Sequence, residues 1–588
     1  MPAFIHPSRR TFLKSATATS LFLAAPITLR AQPTHVRQSL ATSASDTDVA
    51  TYREAVKFML TKAEPDDPEM FHLNWYRNAM IHLLDCPHGN WWFAVWHRPY
   101  LGYLERKIRS ITGNEEFALP FWDWTVQPEI PKSFLSDPNA SDPDLRDNPL
   151  DPGSSYFVNA AHDPALSQAV TNATTQAAFD AAQAALASHT FAPFDQKYRA
   201  AFEAVWNTFT PAQLAQLTTR FGAAPGQTSV TFDWFWNGTQ NSVHNNFQWD
   251  VETARFLKIA NPKLPPDAAI TVIESTINAA VKSPHFARTV TSNAGYGFNT
   301  VEMATHHGGS RSQAILEGQP HNQVHNYTGA TMQSNLSSVD PIFFAHHSNV
   351  DRIWDVWTRR QQSLTPPQPF LPENNAAKFN AEEFLFYIVP DGTPVTSPTT
   401  AGENMDKAQF GYTYAPGTGE NQIQQAPLVA NLATDDASPN AGFAFNSFAV
   451  ASVPLDQDFA RALALPDQNA NVLAELTLTL PMDLSGLTLR VFVSPKGVAP
   501  DTSDGSPELA GSIGFFGMRN MDHSMHEDMD DAAIFDVDVT EAIARLTELG
   551  IMQSGAEIDV AVVPTRTDGG ENLSSSDGIL QSVRLKTI

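Results

Sequence analysis

Two different hydrophobic periods divide the chain. In the N-terminal two thirds, apolar side chains recur three and four positions apart, as in the stretch 71–82, and this spacing predicts amphipathic helices. Towards the C-terminus apolar and polar residues alternate, which predicts half-buried strands at 476–480, 487–493 and 558–563. The pattern therefore predicts a mainly helical region followed by a β domain.

Proline- and turn-rich stretches separate these regions. Proline and aspartate cluster from 128 to 152, which predicts a long surface loop. Thr210-Pro211 is a good N-cap and first helical position for a helix ending near Phe221, and Pro265-Pro266-Asp267 predicts a helix that reaches Lys282. The polar segment 416–440 has the composition of a linker.

Length and composition narrow the class of protein. A chain of 588 residues is long for one domain and predicts two or three. Hydrophobic residues make up 42% and charged residues 17%, so a large core is feasible. The net charge of -26 and the pI near 5.0 argue against nucleic acid as a partner. With Cys86 as the one cysteine, no intrachain disulfide can form.

The N-terminus predicts export. Arg9-Arg10 within the run Ser8–Lys14 precedes a modest apolar stretch, and this arrangement resembles a twin-arginine signal peptide covering residues 1–35. The expected location is therefore periplasmic or secreted. No later apolar stretch reaches the roughly 18 residues of a spanning helix, so no membrane anchor is expected.

Histidines concentrate in two parts of the helical region. His321 and His325 are four positions apart, so on a helix both imidazoles lie on one face and can reach one metal ion. His346 and His347 follow, and because neighbours on a helix point about 100° apart, one of the two is expected to join the site. Ligation by imidazole without carboxylate suits copper and argues against magnesium, calcium or non-haem iron.

These motifs resemble the type 3 copper proteins, the family of tyrosinases, polyphenol oxidases and haemocyanins. Asp340-Pro-Ile-Phe-Phe-Ala-His346-His347 with Asp351 is similar to the family's second copper signature. The run 88–105 is similar to the first, with Ala94 where a bulkier residue is usual. The resemblance implies two copper ions, one held by His321, His325 and His347 and the other by His82, His88 and His97.

One ligand of the first copper stays open. His72 competes with His82, and because ten positions place them about 80° apart around a helix, both are not expected to bind the same ion. His72 is retained as the alternative because the gap between His82 and His88 is short for this family.

The resemblance implies further roles around the coppers. In several family members a cysteine placed like Cys86 forms a thioether with the second ligand, which is His88 here. Glu317 and Asn322 match positions associated with holding a water that accepts the phenolic proton, a task suited to a carboxylate oriented by an amide. Arg98 and Asp351 are expected to orient the ligand helices.

The resemblance also implies an architecture. We expect a mainly α copper domain at 48–365 whose central four-helix bundle holds both ions, with an insertion at about 126–300. A connector at 366–440 and a C-terminal antiparallel β-sandwich domain at 441–588 are expected to follow, as in plant polyphenol oxidases.

The implied function is oxidation of small phenols by dioxygen. Monophenols would be hydroxylated at the ortho position and ortho-diphenols oxidised to ortho-quinones. The alternatives are an enzyme restricted to diphenols or aminophenols and a haemocyanin-like oxygen-binding protein. The oligomeric state is not indicated by the sequence.

Overall fold

The fold is that of a computed structural model, which describes residues 35–157, 181, 194–238, 255–288, 297–365, 367, 373–384, 399–424, 433–438, 442–443, 448–453, 470–480, 484, 487–516, 532–553, 557–566 and 578–588. The expected signal peptide lies outside these residues, apart from its last position, and so do most of the alanine-rich stretch after residue 157 and residues 517–531.

Helices dominate the described part of the chain up to residue 381. They are α1 (Asp46–Thr61), α2 (Trp75–Asp85), α3 (Phe93–Thr112), α4 (Pro143–Arg146), α5 (Phe194–Trp206), α6 (Pro211–Phe221), α7 (Pro266–Ala269), α8 (Glu274–Lys282), α9 (Asn322–Thr328), α10 (Ile342–Ser363) and α11 (Glu373–Ala381). A π-helical turn, Glu317–His321, leads directly into α9.

Local capping explains where several helices begin and end. The Asn74 side chain accepts a hydrogen bond from the Arg77 amide and starts α2, while Gly113, with φ of 69°, ends α3. At α6, Thr210 and Gln213 form the reciprocal capping box, which confirms the predicted start. The predicted helix from Pro266 to Lys282 is wrong in extent, because it is split into α7 and α8.

A large aromatic core fixes the helices against one another. Among the described residues, nine fully buried tryptophans contribute to it, namely Trp75, Trp91, Trp92, Trp96, Trp122, Trp124, Trp236, Trp354 and Trp357. The indole of Trp75 donates to the Val339 carbonyl at 2.9 Å, and the hydroxyl of Tyr52 donates to the Pro341 carbonyl at 2.9 Å. These bonds join α1 and α2 to the segment before α10, so the helices carrying the histidines share one rigid core.

The C-terminal region contains two four-stranded antiparallel sheets. One has the order β11 (Leu509–Gly514), β10 (Leu487–Pro495), β13 (Ile558–Arg566) and β8 (Ala449–Val453), and the other has β12 (Ala532–Asp538), β9 (Val472–Thr479), β14 (Gly578–Thr587) and β7 (Gly442–Phe443). Apolar residues of both sheets and of helix α12 (Thr540–Glu548) share one hydrophobic cluster. The predicted strands are confirmed as β9, β10 and β13, but the prediction that they are half-buried is wrong for β10, which is buried from Leu487 to Ser494 because both of its faces are covered.

The connector returns to the helical region. Strand β6 (Tyr412–Tyr414) pairs in parallel with β1 (His35–Arg37), the first strand of the described chain. Two further two-stranded sheets are small. One pairs β2 (His285–Ala287) with β3 (Gly297–Asn299), and the other pairs β4 (Glu383–Phe384) with β5 (Thr399–Thr400). In the residues that can be described, no helix is both long and apolar enough to cross a membrane.

Candidate metal centre

Four residues around α2 and α3 form the first group of candidate ligands. His82 lies in the last turn of α2, Cys86 and His88 in the loop that follows, and His97 in the second turn of α3, with their ligand atoms within 4.8 Å of one another. Nδ1 of His82 is 2.9 Å from the Asn335 carbonyl, and Nδ1 of His97 is 2.8 Å from the Phe93 carbonyl. These bonds leave Nε2 of both rings available for a metal.

The second group is built on the π-helical turn, α9 and α10. It contains His321, His325, His346 and His347, all buried and with ligand atoms within 4.8 Å. Nδ1 of His325 is 2.7 Å from the Met332 carbonyl, and Nδ1 of His321 is 2.8 Å from Oδ1 of Asn322. The Nε2 atom of His347 is 3.4 Å from that of His321 and 3.2 Å from that of His325.

These separations fit one metal ion. Two imidazole nitrogens that each lie about 2.0 Å from a tetrahedral ion are about 3.3 Å apart. The two measured nitrogen–nitrogen distances, 3.2 and 3.4 Å, bracket this value. The donor set is imidazole alone, which suits copper. The residues of the second group therefore fit a copper ion without rearrangement of the backbone.

The two groups lie side by side. The rings of His97 and His347 are stacked, with centroids 3.9 Å apart and planes within 7° of parallel. The rings of His88 and His321 also face each other across the two groups, at 6.0 Å. Candidate ligands that are more than 200 positions apart in the sequence thus lie against one another.

Burial keeps the histidines neutral, as metal binding requires. It lowers the pKa of His82 to about 4 and that of His321 to about 3. For His88, His97 and His347, burial and the neighbouring histidines hold the pKa well below its usual value. Every ring can therefore offer a lone pair at neutral pH.

Cys86 contacts the ring of His88. Its Sγ is 3.7 Å from each of the two ring nitrogens of His88 and 3.4 Å from Nε2 of His97. Burial raises the pKa of the Cys86 thiol well above its usual value, so it is not a preformed thiolate.

Glu317 and Asn322 occupy separate hydrogen-bond networks. The Glu317 carboxylate accepts from the Gly89 amide at 2.6 Å and from the Thr300 hydroxyl at 2.5 Å. Burial raises the pKa of Glu317 to about 7. The Asn322 amide group donates to Oε1 of Gln313 at 2.9 Å and to the Gly514 carbonyl at 2.7 Å.

Arg98 and Asp351 pair between α3 and α10. Nε of Arg98 donates to Oδ1 of Asp351 at 2.8 Å, and both are buried. The other oxygen of Asp351 accepts from the hydroxyls of Tyr412 and Tyr414, at 2.5 Å each. The pair thus connects both ligand helices to the strand of the connector.

Phe516 places an aromatic ring from the C-terminal region against both groups. Its ring stacks on His325 at 4.2 Å between centroids and meets His88 edge-on at 4.7 Å. Phe516 comes two positions after Gly514, the last residue of β11, whose carbonyl accepts the bond from Asn322. The C-terminal region therefore covers part of both histidine groups.

Sequence reasoning missed some of these features. Phe516 carries no motif, because its contact arises from the docking of strand β11 on α9. His346, expected to be packed outside the site, lies in the second group. His72 sits in the short turn Phe71–Leu73 and belongs to neither group of candidate ligands found in the described residues, whereas His82 does.

Comparison with known proteins agrees with this geometry. The family described as "Common central domain of tyrosinase" matches residues 63–360, about half of the chain. Tyrosinase HcTyr1 of Hahella sp. (strain CCB-MM4) is 23% identical over 482 residues, covering 79% of this chain and 76% of that protein. Chloroplastic polyphenol oxidase of Malus domestica is 24% identical over 337 residues, covering 52% of this chain and 37% of that protein.

The chain thus spans little more than a third of the apple protein's length. Among solved structures, latent apple tyrosinase aligns with 97% of this chain and 100% of its own, with 16% identity and a TM-score of 0.49. On the match of the central domain, the chain belongs to the tyrosinase family of copper oxidoreductases. Its two histidine groups are candidate sites for the metal of a dicopper oxidase.

Proposed function

We propose that the protein is a phenol oxidase that uses dioxygen to hydroxylate monophenols at the ortho position and to oxidise ortho-diphenols to ortho-quinones. The observation that carries the proposal is the convergence of two buried imidazole groups, joined by the stacked rings of His97 and His347. Two copper ions bound there would supply the redox chemistry with dioxygen and polarise the phenol oxygen.

The proposed ligands are those implied by the sequence. His82, His88 and His97 hold one copper ion, and His321, His325 and His347 hold the other. Backbone carbonyls fix the rings of His82, His97 and His325, and an amide fixes His321, so the Nε2 atoms stay aimed at the metal positions. Cys86 is positioned for a thioether with His88, and the crosslink would restrict rotation of that ring.

Proton transfer falls to Glu317 and Asn322 in this proposal. A carboxyl whose pKa is near 7 can accept a proton at neutral pH and return it later in the cycle. Each Glu317 oxygen keeps a lone pair for a water molecule besides the bonds from Gly89 and Thr300. Asn322 holds the tautomer of His321 through the 2.8 Å contact with Nδ1.

The same proposal includes the domain boundaries. The copper domain spans 48–365, with the segment 126–300 inserted between its two halves, and its central bundle consists of α2, α3, α9 and α10. The connector spans 366–440, and the two sheets of 441–588 form a β-sandwich. Export by the twin-arginine route would suit an enzyme that folds and takes up metal before it is translocated.

The assay is quinone formation and oxygen uptake by the copper-loaded chain. L-tyrosine and L-DOPA are tested separately, before and after limited proteolysis of the C-terminal region. Oxidation of both substrates supports the proposal. Oxidation of L-DOPA alone would indicate a diphenol-only enzyme, and reversible oxygen binding without quinone would indicate a carrier.

We further propose that the C-terminal region keeps the enzyme latent through Phe516. The ring occupies the space against His88 and His325 that a phenol would need in order to reach the metals. The segment between Tyr327 and Pro341 contains no phenylalanine, so it offers no such ring to cover the entrance to the metal site. The closure comes instead from the other domain.

Phe516→Ala tests this latency. We expect L-DOPA oxidation by the intact chain to rise about 10-fold or more, because the binding-competent fraction increases. After proteolysis, the variant and the wild type should have equal rates. The control is Phe448→Ala, since Phe448 is 37% exposed in the same region. An intact Phe516→Ala variant as slow as the intact wild type would refute the role of this ring.

A further inference from the structure

Asp85, His306 and His307 form a third cluster of candidate metal ligands, outside the two groups described above. Their ligand atoms lie within 4.8 Å of one another. Nε2 of His306 and Nε2 of His307 are each 3.1 Å from the same oxygen, Oδ1 of Asp85. Asp85 and His306 are buried, whereas the His307 side chain is 22% exposed.

The cluster has the outer hydrogen bonds that metal ligands usually have. Oε1 of Glu382 is 2.6 Å from Nδ1 of His306 and also accepts from the His306 backbone amide at 2.7 Å. The indole of Trp96 donates to the second oxygen of Asp85 at 3.1 Å. A carboxylate behind a histidine, and a donor behind a ligating carboxylate, fix the orientation of both ligands.

The charged groups around the cluster favour binding of a cation. The carboxylates of Asp85 and Glu382 face it, and the guanidinium of Arg220 is close enough to influence Asp85 and His307. Burial opposes ionisation of Asp85, yet His306 and His307 hold its pKa below the usual value. Against the effect of burial, Asp85 and Glu382 raise the pKa of His306, so a metal ion bound there would take the place of its proton. With both histidines then neutral, the two carboxylates and Arg220 sum to one negative charge, buried in the protein.

We propose that Asp85, His306 and His307 bind one divalent metal ion of the zinc class, separate from the two coppers. Two imidazoles and one carboxylate form the ligand set of three-ligand zinc sites, and the His307 side chain is 22% exposed. Nitrogen–oxygen separations of 3.1 Å suit ligands about 2.0–2.1 Å from a tetrahedral ion.

The ion would fasten the loop that carries Cys86 and His88. That loop is already attached to the segment following His307, because Asn90 donates to the Gly308 carbonyl at 2.8 Å and the Ser310 amide donates to Gly89 at 2.7 Å. A metal between Asp85 and the two histidines would tie the start of the loop to the same segment. Its role is structural, and it does not depend on the oxidase activity.

The test is metal content by inductively coupled plasma mass spectrometry. Copper-loaded protein is equilibrated with zinc in the presence of a weak chelator, and bound zinc and copper are counted per chain. We expect one zinc in the wild type and none in His307→Ala, with copper unchanged. His285→Ala, which removes an exposed histidine elsewhere, should retain the zinc.

A second variant protects the test against misfolding. Glu382→Gln keeps the shape of the side chain but removes the charge behind His306, and it should weaken zinc binding about 10- to 100-fold. X-ray absorption at the zinc edge should show two imidazole ligands in the wild type. Absence of zinc from the wild type, or equal zinc in the wild type and His307→Ala, would overturn the proposal in favour of a metal-free network of hydrogen bonds.

Discussion

At the scale of single residues, four of the proposed ligand histidines, His82, His97, His321 and His325, have Nδ1 engaged in a hydrogen bond, so Nε2 is the nitrogen left for a metal. Nδ1 of His325 is held by the Met332 carbonyl and Nδ1 of His97 by the Phe93 carbonyl. His321 differs, since it contacts the side chain of Asn322 at 2.8 Å in addition to the backbone of Glu317. The orientation of the His321 ring therefore depends in part on the Asn322 side chain, which a substitution can remove.

Asn322→Ala tests that dependence. Loss of the acceptor for Nδ1 of His321 should lower the rate of L-tyrosine hydroxylation by about 10- to 100-fold in the proteolytically opened enzyme. L-DOPA oxidation should fall less, because a diphenol needs no ortho-hydroxylation step. The control is Asn326→Ala, one helical turn later and also buried. Equal losses for both substrates would count against a specific role in hydroxylation.

At the scale of elements, α2 and α3 are held together by a buried lysine as well as by aromatic packing. Nζ of Lys107 on α3 donates to Oδ1 of Asn78 on α2 at 2.5 Å. Burial, together with the nearby charge of Arg77, lowers the pKa of Lys107 from 10.5 to about 7. These two helices therefore enclose a charge that costs stability whenever it is protonated.

The pH dependence of stability follows from this lysine. Between about pH 7 and 10.5 the unfolded chain binds a proton that the folded chain lacks, so Lys107 makes the free energy of unfolding rise with pH, by up to roughly 1.4 kcal/mol per unit. Below about pH 7 the cost of burying the charge is fully present.

Lys107→Met should therefore flatten this dependence and should stabilise the protein most below pH 7. Denaturant unfolding at several pH values, compared with the exposed-site control Lys62→Met, measures the difference. A Lys107→Met variant whose stability changes with pH in parallel with the wild type would contradict the assignment.

At the scale of the whole molecule, polar contacts attach the C-terminal sheets to the copper domain. Arg288 pairs with Asp536 on β12 and, at 3.3 Å, with Glu475 on β9. The Gln319 side chain, in the π-helical turn before α9, donates to the Asp536 carbonyl at 2.6 Å. The interface thus ends beside the ligand helix, where Phe516 meets the histidines.

Arg288→Gln should loosen this interface without touching the metal centre. Lys586 still pairs with both Asp536 and Glu475, so the sheets keep a cationic partner and should stay folded. We expect L-DOPA oxidation by the intact chain to rise about 10-fold, the equivalent of about 1.4 kcal/mol in the closing equilibrium. Lys378→Gln, which breaks a more exposed pair with Glu302 at 3.1 Å, should leave the rate unchanged.

Proteolysis provides the companion measurement. If Arg288→Gln opens the enzyme, cleavage of the C-terminal region should become faster while the rate after cleavage stays at the wild-type value. Faster cleavage without a gain in the rate of the intact chain would show that the interface does not control access.

The sequence by itself determined which chemistry the protein can carry. The pairing of His321 with His325, the Asp340–Asp351 motif and the run from His88 to His97 are short-range patterns, and helical geometry orders the side chains of His97, His325 and His347 within them. The change of period from helix to strand was equally local, and β9, β10 and β13 confirm it. The split of the expected helix between Pro266 and Lys282 was missed.

Only the tertiary structure decided how these local pieces meet. The stacking of His97 on His347, the ring of Phe516 on His325 and the contact of Asp85 with His306 each join residues far apart in the chain. No periodicity encodes such contacts, because they depend on the packing of whole helices and sheets around a common core. The local sequence therefore supplied the candidate ligands. The fold brought the two histidine groups together and placed the Phe516 ring over them.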